Sequence, residues 1–232
     1  MLKAPEKPLH QILRTAAWMQ VLSDPLRDRV MLDAYETSHE QRELVAARDD
    51  WPHSWMGVGD GLLKVVKVLR DGRVVQFTNV STGGWVDEAS MTVCGRRPYD
   101  IVAVRRTRIV HIPRETFRML LRASYEFNHF IIGQLSQRVT QFMGRVEADR
   151  MTDPVARLAQ AIVGLYNPVL HPGMSADIHL SQEELGDLAG LTRQRTNQAV
   201  KSLERDGVVV VRHGGLLVKD LLALRRFAES AR

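Results

Sequence analysis

The chain has 232 residues, 32 Lys plus Arg against 27 Asp plus Glu, a formal net charge of +5 and 44% hydrophobic residues, which suits a globular protein of one or two domains. No uninterrupted apolar run approaches the roughly 18 residues of a spanning helix, and Met1-Leu-Lys-Ala-Pro-Glu-Lys-Pro8 lacks the apolar core of a signal peptide, so a cytoplasmic protein with no membrane partner is expected. The single cysteine, Cys94, excludes an intrachain disulfide and any zinc site or iron–sulfur cluster held by several cysteines of this chain.

In chain order, Leu9, Ile12, Leu13, Ala16 and Ala17, and after Ser23-Asp-Pro25 the residues Leu26, Val30 and Leu32, recur at helical spacing. Short helices are expected over the first 40 or so residues. From about Leu44 to Ile112 the texture changes to β-rich runs: Ser54 to Val58, Leu62 to Leu69, Val74 to Val80 and Ile101 to Ile112. Gly59-Asp-Gly61, Arg70-Asp-Gly-Arg73 and Ser81-Thr-Gly-Gly84 separate them with turn chemistry, and Asp71-Gly72 is a hairpin signal. Antiparallel strands at this spacing predict a sandwich, barrel or jelly roll.

After Pro113 the period is helical again. Phe127, Ile131, Leu135, Val139, Phe142 and Val146 recur every three or four residues, and Phe130 and Ile132 widen the stripe. A helix of roughly 25 residues is about 38 Å long and outreaches a small domain, so this stripe reads either as packing on its own domain or as a homodimer seam, and the six residues are assigned to the seam. Asp153-Pro154 then starts another helix, whose apolar face is Leu158, Ile162 and Leu165.

Ser181-Gln-Glu-Glu184 is a capping box, Gly190 supplies a tight turn, and Thr192 opens a second helix through Arg205. Asp206-Gly207 ends it, and Val208 to Val211, Arg212-His-Gly-Gly215 and Leu216 to Val218 make a β-hairpin wing. Ala199, Val200 and Leu203 point inward; Arg193, Gln194, Asn197, Gln198 and Lys201 share or border the outer face. Arg, Gln and Asn make paired hydrogen bonds to purine edges in the major groove, while Lys201, Arg195 and Arg212 suit phosphate contacts. Double-stranded DNA is the expected partner.

Leu180-Ser-Gln-Glu-Glu-Leu-Gly-Asp-Leu-Ala-Gly-Leu-Thr-Arg-Gln-Arg-Thr196, Ser202-Leu-Glu-Arg-Asp-Gly207 and Ile109-Val-His-Ile-Pro-Arg-Glu-Thr-Phe117 resemble the CRP/FNR superfamily of bacterial transcription regulators over nearly the whole chain. The resemblance implies an α+β fold: an N-terminal double-stranded β-helix or jelly-roll sensor domain of the cyclic-nucleotide-binding type (1–123), a dimerisation helix (124–152) and a C-terminal winged helix-turn-helix (153–232). It also implies a homodimer on a roughly palindromic promoter, with RNA polymerase as a further partner and a small-molecule effector in the β-roll.

In cyclic-AMP-responsive members a Gly-Glu segment and an Arg-Ser pair hold the cyclic phosphate and ribose. The matching segment is Gly83-Gly-Trp-Val-Asp-Glu-Ala-Ser90. Glu88 and Arg97 match, but Asp87 stands for the glycine and Pro98 for the serine, removing a hydroxyl donor and adding a carboxylate that repels a phosphate. Phe142 and Met143 align with the adenine-binding Thr-Ser positions. With Trp85 they suit an apolar pocket or a filled core. The resemblance thus implies an effector other than cyclic AMP, or activity without one; a cyclic-nucleotide-responsive regulator with a divergent pocket is the alternative.

On the second helix the family's Arg-Glu-x-x-x-Arg reads Arg193-Gln194-x-x-x-Gln198, which predicts a half-site richer in adenine, as does Asn197. Thr196, where an apolar β-branched residue is usual, needs a hydroxyl partner. No spacing selects a haem ligand among His10, His39, His53, His111 and His129, so no cofactor and no metal are expected. Arg96 and Arg97 beside Cys94 would favour a thiolate, although an inert loop residue serves equally. Against an enzyme, the chain lacks Gly-x-Ser-x-Gly, His-Glu-x-x-His and Gly-x-x-x-x-Gly-Lys. Against a scaffold that never touches DNA stands the outer face of the second helix.

Overall fold

Helices α1 (Leu9–Thr15), α2 (Ala17–Gln20) and α3 (Asp24–Asp33) precede the strands β1 (Tyr35–His39), β2 (Leu44–Ala46), β3 (Ser54–Asp60), β4 (Leu62–Val68), β5 (Val74–Ser81), β6 (Trp85–Val86), β7 (Asp100–Ala103) and β8 (Thr107–Pro113), with α4 (Glu88–Thr92) between β6 and β7. Then come α5 (Arg114–Ala123), α6 (Tyr125–Arg150), α7 (Pro154–Gly164), β9 (Asp177–Ile178), α8 (Gln182–Ala189), α9 (Arg193–Arg205), β10 (Val209–Arg212), β11 (Gly215–Val218) and α10 (Leu221–Glu229). The computed structural model describes residues 7–93 and 95–229; Cys94, the thiolate candidate, lies outside the described residues. Two compact units divide the chain, Met1–Gln137 and Arg138–Arg232. No described helix is long and apolar enough to cross a membrane.

In the first unit, two antiparallel four-stranded sheets, β1-β8-β3-β6 and β2-β7-β4-β5, form the expected jelly-roll-like sandwich. Met56, Val58, Val86 and Ile109 from one sheet meet Leu63, Val65, Val80, Ile101 and Ala103 from the other. Alternate side chains of β3 and β8 point the opposite way, so Trp55, Val110 and Ile112 join Trp18, Trp85, Phe117 and Phe127 in a second core beneath the helices. This explains why β3 is buried on both faces. Gly61, at φ +116, makes the turn into β4; a Cβ there would meet Thr107 Cα at 2.7 Å, so only glycine fits.

Three local expectations are corrected. The β-region begins at Tyr35, inside the stretch read as helical; among the described residues β1 pairs only with β8, and an edge strand needs no continuous apolar run. The run from Ile101 to Ile112 is two strands in different sheets, β7 and β8, joined across Val104-Arg-Arg106 with the Thr107 hydroxyl bonded to Leu62 N at 3.1 Å and to Arg105 O at 2.7 Å. The wing has a third strand, β9, in the order β10-β11-β9; two residues carry no period to read.

In the second unit, Asp153 caps α7 by accepting from Val155 N and Ala156 N at 2.9 and 3.4 Å. Ala156, Leu158, Ala159 and Ile162 on α7, Leu185 on α8, Ala199, Val200 and Leu203 on α9, and Leu224 on α10 are all buried.

Each unit buries a histidine. His111 is hydrogen-bonded to Ser54 Oγ through Nδ1 at 2.7 Å and to Thr37 Oγ1 through Nε2 at 2.8 Å; Thr37 continues to His39 at 2.9 Å, and His39 to Glu43 at 2.8 Å. Burial, with His39 nearby, pushes His111 down to about 4; burial, with Arg138 nearby, pushes His171 down to about 3. Between these values and the ordinary histidine range the unfolded chain binds protons that the folded chain does not, so stability falls as pH drops below about 6.5. Each histidine is expected to cost about 2 kcal/mol of stability between pH 7 and pH 5. Urea unfolding at both pH values, with His111→Gln beside the parent, checks this: the variant should lose part of the acid slope, and an unchanged slope would refute the assignment.

Candidate nucleic-acid interface and sensor pocket

Local chemistry sets the helix-turn-helix. Ser181 Oγ accepts from Glu184 N at 3.2 Å while Ser181 N donates to Glu184 Oε2 at 2.6 Å, so two orphan amides at the start of α8 are satisfied. Gly190 ends α8 at φ +63, and Thr192 caps α9 by accepting from Arg195 N at 3.4 Å. A Cβ at Gly186 would lie 2.7 Å from Thr196 Oγ1, so the two helices approach with no room for a methyl group. Thr196 is fully buried, and its hydroxyl donates to Thr192 O at 3.0 Å, which supplies the partner the sequence requires.

With Ala199, Val200 and Leu203 turned inward, Arg193, Gln194, Asn197, Gln198 and Lys201 line one shallow concavity on the opposite side. Arg195 is exposed but outside that group. Arg212 lies on β10 and pairs with Asp177 of β9 at 3.1 Å, which fastens the wing's strands together at the place where a phosphate contact is expected.

Two residues escaped the sequence reading, Arg157 and Tyr99, the second of which donates to Asp87. Arg157 Nη2, on α7, donates to Ala189 O at 3.1 Å and Gly190 O at 3.3 Å and lies 3.3 Å from Asp149 Oδ1 on α6. It satisfies carbonyls at the C-terminus of α8 and ties the turn before α9 to the end of α6. Nothing local marks an arginine whose acceptors are 32 and 33 residues away.

In the first unit, Asp87, Glu88 and Arg97 are all buried and Trp85 lies in the aromatic core. Arg97 donates from Nε and Nη2 to Asp87 Oδ2 at 3.0 and 2.7 Å, and from Nη1 to Ala47 O at 3.2 Å. Tyr99 donates its hydroxyl to Asp87 Oδ1 at 3.2 Å. Burial, then the Asp87 charge, push the Tyr99 hydroxyl far above its ordinary range, so it stays a donor. Phe142 and Met143, expected beside Trp85, belong to the second unit and are exposed. Among the described residues no group of three or more His, Asp or Glu side chains is placed to hold a metal ion.

The expected seam divides. Phe127 and Ile131 are buried in the first unit's own core, which corrects their assignment to the dimer interface, because a side chain already enclosed has no surface for a partner; Leu135 is only partly buried against that core. Val139, Phe142 and Val146 are exposed, as are Ile132 and Met143.

Two family models match in the same order as the two units. The one described as a cyclic nucleotide-binding domain matches residues 36–124, and the one described as a Crp-like helix-turn-helix domain matches residues 156–227. Among curated proteins, the nitrogen fixation regulation protein FixK of Bradyrhizobium diazoefficiens is 24% identical over 77% of this chain and 75% of its own. The transcriptional regulator LdrP of Thermus thermophilus is 24% identical over 82% and 95%, and the cAMP-activated global transcriptional regulator CRP of Haemophilus influenzae is 26% identical over 64% and 67%. The solved structure of FixK2 from Bradyrhizobium japonicum superposes with a TM-score of 0.72 at 16% identity, covering 84% of this chain and 96% of that one. A capped helix-turn-helix with a wing, a jelly-roll unit before it and two family models in that order lead to one conclusion: the chain belongs to the CRP/FNR superfamily of DNA-binding transcription regulators.

Proposed function

We propose that the protein works as a cytoplasmic homodimer that reads a two-fold symmetric promoter site with the outer face of α9 and acts there with RNA polymerase. The observation that carries this reading is the concavity lined by Arg193, Gln194, Asn197, Gln198 and Lys201. Arg193 suits guanine, Gln194, Gln198 and Asn197 suit adenine, and Lys201, Arg195 and the wing's Arg212 position the backbone.

Selection of bound sequences from random duplex DNA, at a stated salt concentration and without added effector, tests it. An enriched palindrome with half-sites about 10 to 10.5 base pairs apart is expected. Only salt-sensitive background binding, unchanged by Gln194→Ala with Gln198→Ala, would count against the reading.

Dimerisation is assigned to the exposed stripe Val139, Phe142 and Val146 of α6. Val139→Glu places a charge in that stripe without touching either unit's buried core, and burying an unpaired charge is costly. Sedimentation should show the variant shifted to monomer; a fully dimeric Val139→Glu protein would move the seam elsewhere.

A further inference from the structure

A buried guanidinium needs a counter-charge, and in this sensor unit the chain supplies its own. Arg97 is 4% exposed and Asp87 is 1% exposed; two of the three guanidinium nitrogens donate to one Asp87 oxygen, Tyr99 donates to the other, and the third nitrogen is taken by Ala47 O. The loop behind the arginine is closed as well: Arg97 N donates to Asp50 O at 2.9 Å and Asp49 N donates to Arg97 O at 2.8 Å. Asp87 reaches this position from a left-handed backbone, at φ +81, a conformation that disfavours any residue with a Cβ and that glycine adopts freely. The strained position is kept, and the carboxylate is what occupies it.

The unit that contains this pair matches a cyclic nucleotide-binding domain, a class whose ligand carries a phosphate. A carboxylate with both oxygens bound by Arg97 and Tyr99 presents to them what a phosphate oxygen pair would present. We propose that Asp87 is a built-in counter-anion that occupies the place of an anionic effector against Arg97, so that the regulator holds its DNA-binding state with no phosphate-bearing ligand. This rests on reading the first unit as the sensor of a DNA-binding regulator, and it deepens that reading by naming how the sensor is set.

The consequence is a latent anion site that one substitution should open. Asp87→Gly removes the carboxylate and suits φ +81, leaving Arg97 without its counter-charge. The test is thermal unfolding of full-length protein in inorganic phosphate against chloride at equal ionic strength, with cyclic AMP as a second probe. Phosphate should raise the melting temperature of Asp87→Gly by about 5 to 10 °C at a hundredfold excess over its dissociation constant. The parent, and Asp87→Gly combined with Arg97→Met, should show no phosphate-specific rise. If Asp87→Gly is unfolded in chloride, phosphate should restore its folded circular dichroism, and the double variant should fold in both buffers. A parent stabilised as strongly as the variant, or a variant that phosphate neither stabilises nor refolds, overturns the inference. Because no DNA is present, these outcomes are separate from failure of the DNA-binding reading. On the selected duplex, parent affinity should be the same with and without phosphate or cyclic AMP, whereas Asp87→Gly should need one of them; a parent that binds only with an anion also overturns the inference.

Discussion

Replacing Trp55 with alanine should lower the stability of the first unit by about 3 to 5 kcal/mol, the usual cost of deleting a buried large aromatic side chain. Trp55 is fully buried. Its ring centroid lies 5.1 Å from Trp18, 4.3 Å from Trp85, 5.4 Å from Phe117 and 5.9 Å from Phe127. These partners come from α2, β6, α5 and α6, so one side chain of β3 joins four other elements. The site has little room to collapse, because a Cβ at Gly57 would already lie 2.7 Å from the Trp85 ring; the cavity therefore stays open, and the loss is at the upper end of such truncations. Urea unfolding followed by circular dichroism measures it. A loss below about 1 kcal/mol would mean that the aromatic cluster does not hold the helices to the sheet.

Arg193→Ala should weaken binding to the selected duplex by about 1 to 3 kcal/mol, roughly a five- to 150-fold change, and relax preference at one base position. Arg193 is the first residue of α9 and lines the concavity with the amide side chains, whereas the apolar residues that hold the helix in place are on its far side, so the substitution removes a contact without removing packing. Lys201→Ala should behave differently, weakening all duplexes alike and lowering the salt slope by about one. Fluorescence anisotropy on cognate and scrambled duplexes over a salt series separates the two. Equal losses on both duplexes for Arg193→Ala would reassign Arg193 to the phosphate backbone.

The contrast between α9 and α6 shows what periodicity conveys. On α9, Ala199, Val200 and Leu203 are read as inward and are buried, because a 13-residue helix inside one small unit has one neighbouring core. On the 26-residue α6 the same kind of stripe crosses from one unit into the other: Phe127 and Ile131 are buried in the first unit's core, whereas Val139, Phe142 and Val146 are exposed. Phe127 and Val139 are both apolar and belong to one run of three- and four-residue spacings, but twelve residues carry Val139 about 120° around the helix from Phe127, and it is Phe127 that Trp18, Trp55 and Phe117 surround. A hydrophobic period says that a face is covered, not what covers it.

Local pairings were legible in the chain itself. The Ser181–Glu184 box, the Asp153 cap, the Gly72 hairpin and the Gly190 turn each depend on groups within a few residues of one another, so residue type and spacing determine them. The helix-turn-helix and its amide-rich face follow from such signals, as does the division into a β-rich part and a helical part. Tertiary structure alone decided the rest: that the Asp87 carboxylate turns onto Arg97, that Arg157 grips the turn before α9, and that half of the α6 stripe is core. Long flexible charged side chains bond to whatever acceptor the fold brings within about 3 Å, and a buried charge is settled by its nearest counter-charge in space, neither of which sequence separation records.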